Sequence, residues 1–252
     1  MNTKAVAKVQ AEEDPRLLAL LAQDDTGDLG YSTDAEDNTM PLLYILHALS
    51  PAVKKTDPSY VQGAEPGDFW LRNSSIPLIK GTTGGLFQQV KFKREHVEWA
   101  PKESGGGIRA RYAEPPKEAK LAPNGKLMMP NGNEIVDTRY HTGIMRMGSD
   151  SCPIVIPLKS TGLTVSKNWS TTMSLRRKPN GNPYRAYELL YTLTTVERSN
   201  VKGSWYQLVP TFSRVATIEE IEEGMLLHKA VLAGDKVMDN EEEAATQQPA
   251  PF

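Results

Sequence analysis

Cations alternate with flat aromatic rings through the middle of this chain. Lys91, Lys93, Arg94, Trp99, Arg109 and Arg111 form one group, Lys167, Trp169, Arg176, Arg177 and Lys178 a second, and Trp205 and Tyr206 a third. Single-stranded nucleic acid needs this pairing: cations for phosphates, and rings for unstacked bases, each stacked base being worth roughly 1–3 kcal/mol. The competing reading makes the basic residues a solvated sheet face and the tryptophans core. Charge segregation favours anion binding. Residues 51–215 hold 24 basic and 13 acidic side chains, net +11, whereas residues 1–50 are net −6 and residues 216–252 net −7. A basic body suits a polyanionic partner, and acidic ends of the same chain compete for that surface.

Catalytic patterns are weaker. His47, His96, His141 and His228 show no HExxH spacing, and His96 with Glu98 supplies two ligands where a zinc site needs more. Cys152, the single cysteine, excludes an internal disulfide and reads as a buried thiol before an apolar strand. Neither phosphate-loop pattern, G-x-x-x-x-G-K-[ST] or G-x-G-x-x-G, is present, and the glycines at 105–107 read as a flexible turn. One nuclease-like arrangement exists: Asp68, then Gln89 two residues before Lys91, an acid and a lysine that could hold a metal and activate water. The acidic stretch 24–39 lacks calcium-loop spacing. No catalytic residue, metal or cofactor is expected.

The elements that must position these groups are mostly strands. The 18 prolines and 19 glycines punctuate the chain too heavily for a helical bundle. Residues 1–40 read as an acidic flexible arm, with a short helix over 16–23. Residues 41–215 read as a β-rich nucleic-acid-binding domain. Short strands are expected at 67–71 and 76–80, and a long one over 86–99. There Val90 and Phe92 alternate with Gln89, Lys91 and Lys93, which places apolar residues on one face and lysines on the other. Further strands fit 108–112, 131–147 and 153–159, with a polar loop over 113–125. Residues 160–179 are ambiguous, and Ser160 or Thr161 could cap a short helix there. Strand, turn and strand follow at 185–197, 199–203 and 204–212. A helix over 216–234 starts at Thr217 with Glu220 completing a capping box, carries Ile218, Ile221, Met225 and Leu232 as its stripe, and stops at Gly234. Residues 235–252 read as an acidic disordered tail. No run approaches a membrane span. The fold class is mainly β, an OB-like Greek-key barrel with long insertions; alternation alone does not separate it from a sandwich.

"GAEPGDFW" (63–70), "EHVEWAPKESGGG" (95–107), "IPLKSTGLTVSKNWST" (156–171) and "YTLTTVERSNVKGSWYQL" (191–208) resemble a family of phage-encoded proteins associated with replication or recombination. The resemblance spans residues 41–212, and some members are regarded as single-stranded-DNA-binding proteins. The tail is similar to a second group, the single-stranded-DNA-binding proteins of bacteria and T7-like phages, which end in acids and a terminal Phe. Here Asp239, Glu241, Glu242, Glu243, Pro251 and Phe252 match, although "AATQQPAP" separates the acids from the tip. These likenesses imply single-stranded DNA as partner, replication or recombination proteins docked by the tail, and the host cytoplasm as location. Two other readings stand beside this one: a phage interaction protein that binds a host or phage enzyme, and a metal-dependent nuclease built on Asp68 and Lys91.

Overall fold

Two long antiparallel strands, β5 (Gly85–Trp99) and β9 (Glu134–Met147), form the spine of the molecule. The computed structural model describes residues 39–71, 78–148, 150–201 and 203–234, and the backbone of 237–238. The helix expected over 16–23, the acidic loop up to residue 38 and nearly all of the tail lie outside the described residues.

The two spine strands serve two half-sheets. Toward the start of β5 and the end of β9 the order is β12 (Gly203–Val215), β11 (Leu189–Asn200), β5, β9 and β10 (Asp150–Leu158). Toward the other end, β6 (Ile108–Tyr112) pairs with β5, and β8 (Leu127–Met128) joins β9 to β7 (Lys120–Leu121). The result is a curled half barrel, mainly β as expected, with two α-helices among the described residues. A small sheet of β2 (Leu43–Ile45), β3 (Phe69–Leu71) and β4 (Leu78–Ile79) adjoins it. Val155 of β10 donates its N–H to the Pro41 carbonyl at 3.0 Å, which ties the start of this segment to the main sheet. β1 (Thr39–Met40) pairs in parallel with β13 (Val237–Met238).

Each face of the main sheet carries its own core. On one face Phe87, Met145, Ile154, Ile156, Leu189, Tyr191 and Leu193 pack against Trp169 and Met173 of helix α1 (Gly162–Leu175). On the other, Val90, Tyr140, Ile144, Val155 and Tyr187 pack against Leu227 of helix α2 (Ile218–Ala233). Strands buried on both sides read as continuous apolar or mixed runs, which is why β10 shows no alternation.

Three local expectations change. Helix α1 fills the stretch that was ambiguous in sequence, but neither Ser160 nor Thr161 makes a side-chain cap; Ser160 instead adopts φ +47°, and Thr161 is itself helical. Two short strands, β7 and β8, border or interrupt the loop after residue 113. The buried stripe of α2 is rotated from the expected one. Ile218 and Leu232 are exposed, while Gly224 and Leu227 are buried and Ile221, Met225 and Val231 are partly covered. The reason is Gly224: a Cβ there would lie 2.8 Å from Gln88 Nε2 and 3.0 Å from Tyr187 Cβ, so the helix seats on its glycine. The capping box forms as expected, Thr217 Oγ1 accepting from the Glu220 N–H and Glu220 accepting from the Thr217 N–H.

Candidate nucleic-acid interface

A bulge in β5 decides which side chains point where. Gln89 lies opposite Gly143, but Lys91 lies opposite Thr142, so Val90 is an extra residue. Directly opposed residues share a face. Lys91 and Lys93, opposite Thr142 and Tyr140, therefore join Val90 on the α2 side. Phe92 and Arg94, opposite His141 and Arg139, join the α1 side. This corrects the expected split, in which Phe92 shared the face of Val90 and the lysines took the other.

On the α1 side, past the end of the packed core, Phe92, Arg94 and Arg139 of the spine meet Lys167, Ser170, Thr171 and Ser174 of α1 around an open groove of about 490 Å³, with Gln89, Met173, Tyr184 and Ala186 completing the lining. Phe92 is 41% exposed there, an apolar ring presented from mid-strand. Arg94 is held by a bidentate pair with Asp137 at 3.0 and 2.8 Å, which fixes its guanidinium and raises its already high pKa. Arg139 approaches the same Asp137 only to 4.0 Å, and its buried Nε has no partner among the described residues. Lys167 is exposed on the first half of α1. Arg94, Arg139 and Lys167 against Asp137 leave this wall cationic.

Behind Phe92 stands a fixed column of rings. The His141 ring meets Phe92 edge-on at 5.1 Å and stacks on Trp169 at 4.5 Å with the planes 13° apart. His141 Nδ1–H donates to Gln89 Oε1 at 2.6 Å, and Ser166 O–H donates to Nε2 at 2.8 Å. Burial, helped by the Arg139 charge, lowers the His141 pKa to about 3, so the ring is neutral. The atom order Ser166–His141–Gln89 resembles a hydrolytic relay, but Ser166 and His141 are both fully buried and Trp169 covers the ring. Trp169 itself is 3% exposed and offers no face to a base, which corrects its assignment as a stacking residue.

The remaining candidates lie elsewhere. On the α2 side, Glu95 pairs with both Lys93 and Arg111, and Arg111 also donates to the Tyr140 hydroxyl at 2.7 Å. Arg109 is exposed at a second bulge and reaches the Ser104 carbonyl at 3.2 Å. Trp99 lies half-buried under the Lys159 ammonium, 4.4 Å from the ring centre. Arg176 lies flat on Phe212 at 3.4 Å, and Lys178 pairs with Glu188 at 2.6 Å, so both serve packing. Exposed Arg177 donates to the Ser174 carbonyl at the end of α1, beside the groove. Trp205 and Tyr206 sit half-buried on β12, the Tyr206 ring lying over Gly67. The candidate residues thus do not form one surface: Arg94, Lys167 and Arg177 gather at the groove, while Lys91, Lys93 and Arg111 gather on the opposite face.

Both oxygens of the Asp68 carboxylate are engaged. Oδ1 accepts from the Gly81 N–H at 3.1 Å, and Oδ2 from the Glu65 N–H at 3.0 Å and Lys80 Nζ at 2.9 Å. It holds a turn, and among the described residues no group of three or more His, Cys, Asp or Glu could hold a metal ion. No helix among those residues is long and apolar enough to cross a membrane.

A family model described as Pam3 phage gp34-like protein matches residues 10–233. The chain belongs to the Pam3 phage gp34-like family. No curated protein and no solved structure matches it. The family match reaches further toward both ends than the motifs over 41–212, and it takes in the groove, both spine strands and both helices.

In this phage protein the sequence pattern does not mark Phe92, Arg139 or Tyr184 as site residues, and it puts Gln89 in a metal-dependent arrangement with Asp68 and Lys91 instead. Arg139 carries a signal in hindsight of pattern alone: Asp137, Arg139 and His141 share a face at period two. Phe92 carries none, because one bulge reverses its side.

Proposed function

We propose that this chain is a phage single-stranded-DNA-binding protein acting in replication or recombination in the host cytoplasm. The observation that carries the reading is the groove in which exposed Phe92 lies among Arg94, Arg139 and Lys167. A ring for unstacked bases beside cations for phosphates is the minimum such a protein needs. Arg177 extends the cationic track along the end of α1. Binding is sequence-tolerant, since every base has a face to stack. The acidic tail, with Asp239, Glu241, Glu242 and Glu243, competes with DNA for the basic body, and Pro251 and Phe252 dock replication or recombination proteins.

The test is a titration of single- and double-stranded oligonucleotides of equal length over a salt series. The expected result is a preference for single strands that weakens steeply with salt. Equal or tighter binding to duplex, or no binding at low salt, would overturn it. Removing residues 235–252 should tighten binding at low salt.

The cations on the opposite face favour a second reading. Lys93 and Arg111 are already tied to Glu95, an arrangement suited to a protein surface as much as to a polyanion. A phage interaction protein would bind neither oligonucleotide and would keep that behaviour after removal of the tail.

A further inference from the structure

We infer that the groove beside α1 captures one unstacked nucleotide, its base on Phe92 and its phosphate on Arg139 and Lys167. The inference rests on the single-stranded DNA reading and deepens it.

The size fits. The groove's volume of about 490 Å³ lies in the range of roughly 300–1,000 Å³ typical of small-ligand sites, enough for one nucleotide. Its floor is built in advance. Phe92 is backed by His141, and His141 by Trp169, so the stacking ring rests on rings that cannot move aside. Gln89 is 4% exposed and its Oε1 is taken by His141. Among the described residues its Nε2 reaches only the Met173 thioether at 4.0 Å, a weak acceptor. This amide is a buried donor that lines the groove with its hydrogen-bonding capacity barely used. All four bases present acceptors on their edges, so a single N–H can donate to any of them and adds hold without sequence preference.

The rim handles the phosphate by a division of labour. Arg94 is neutralised and immobilised by Asp137. Arg139, with 18% of its side chain exposed, keeps a buried Nε without a partner among the described residues. Lys167 is free to swing from the exposed side of α1. A half-buried guanidinium from β9 and an exposed ammonium from α1, both lining the groove, suit a phosphate entering with its base.

The experiment compares the full-length protein with Phe92→Ala and Phe92→Leu on intact oligonucleotides and on oligonucleotides of the same length made of abasic sites. The slot requires Phe92→Ala to weaken intact DNA roughly tenfold, the cost of losing one stacked base, and to leave abasic DNA unchanged. Phe92→Leu keeps the apolar contact with His141, and it should lose affinity for intact DNA alone in the same way. Equal effects on intact and abasic DNA overturn the slot and leave the DNA-binding reading standing. A parallel titration of dAMP against inorganic phosphate separates the two claims. If the wild-type protein binds no oligonucleotide but binds dAMP, and Phe92→Ala abolishes it, the slot stands without the DNA reading. Binding of phosphate alone, insensitive to Phe92, overturns the slot.

Discussion

At the scale of single residues, His141 has the sharpest consequence. Its folded pKa is about 3 against 6.5 in the unfolded chain, chiefly because burial opposes the imidazolium. Between those values the unfolded chain binds a proton that the folded chain refuses. The contribution is therefore complete above pH 6.5 and is lost as pH falls toward 3, at up to about 1.4 kcal/mol per pH unit. Glu220, lowered to about 2 by Arg214, adds a second loss of the same sign, but only below its ordinary value of 4.5. The two windows overlap only between pH 4.5 and 3. His141→Gln, which keeps a donor and an acceptor, should flatten the fall of the urea midpoint between pH 6.5 and 4.5, where His141 acts without Glu220, and should lessen without removing the fall below 4.5. A residual slope in the upper window belongs to His47, whose pKa burial also lowers. An unchanged slope there would show that His141 is not the buried neutral group described. The sequence identified the rings and cations by type but not by exposure. Trp169 and Phe92 exchanged the roles their types suggest, the larger ring going to the core and the smaller to the surface, because α1 turns one onto the sheet and the bulge releases the other.

At the scale of elements, α2 is held by its first turn and by a glycine. Thr217 and Glu220 cap the helix, and Glu220 also receives Arg214 through two bonds of 2.7 and 2.8 Å. Thr217→Ala should cost about 1 kcal/mol in chemical denaturation. Gly224→Ala tests the packing against the propensity. Helix propensity alone favours alanine by roughly 1 kcal/mol. The new methyl, however, would meet the Gln88 amide at 2.8 Å, and that amide donates to the carbonyls of Tyr187 and Glu220, both at 2.7 Å. Gln88 cannot yield without losing both bonds, so Gly224→Ala should destabilise, seen as a lower urea midpoint; a gain would mean the helix can shift at no cost. The caps, the hairpin and the long strand over 86–99 were legible because each depends on residues close in sequence. The bulge at Val90 and the seating of α2 on Gly224 were not. Both are fixed by partners far along the chain, Gly143 and Thr142 for the first and Gln88 and Tyr187 for the second.

At the scale of the whole molecule, the question is which face of the sheet carries the phosphates. The charge count established a basic body but could not divide it, since the division follows from the register of β5 with β9. On the α2 face Lys93 is already paired with Glu95, so DNA binding there would have to displace an internal carboxylate. On the α1 face Lys167 is exposed and Arg139 comes no closer than 4.0 Å to Asp137. Each phosphate contact to a single strand contributes roughly −0.7 to the slope of log K against log salt. Lys167→Ala should therefore reduce the slope by about 0.7 and weaken all sequences alike, whereas Lys93→Ala should leave it unchanged. Both side chains are exposed, so neither change threatens the fold. A reduced slope for Lys93→Ala alone would move the DNA track to the α2 face and strip the groove of its role. Equal reductions would mean that the strand wraps the edge of the half barrel and uses both faces. Because the slope counts contacts and not their total strength, it separates these paths even where the two variants bind with the same affinity.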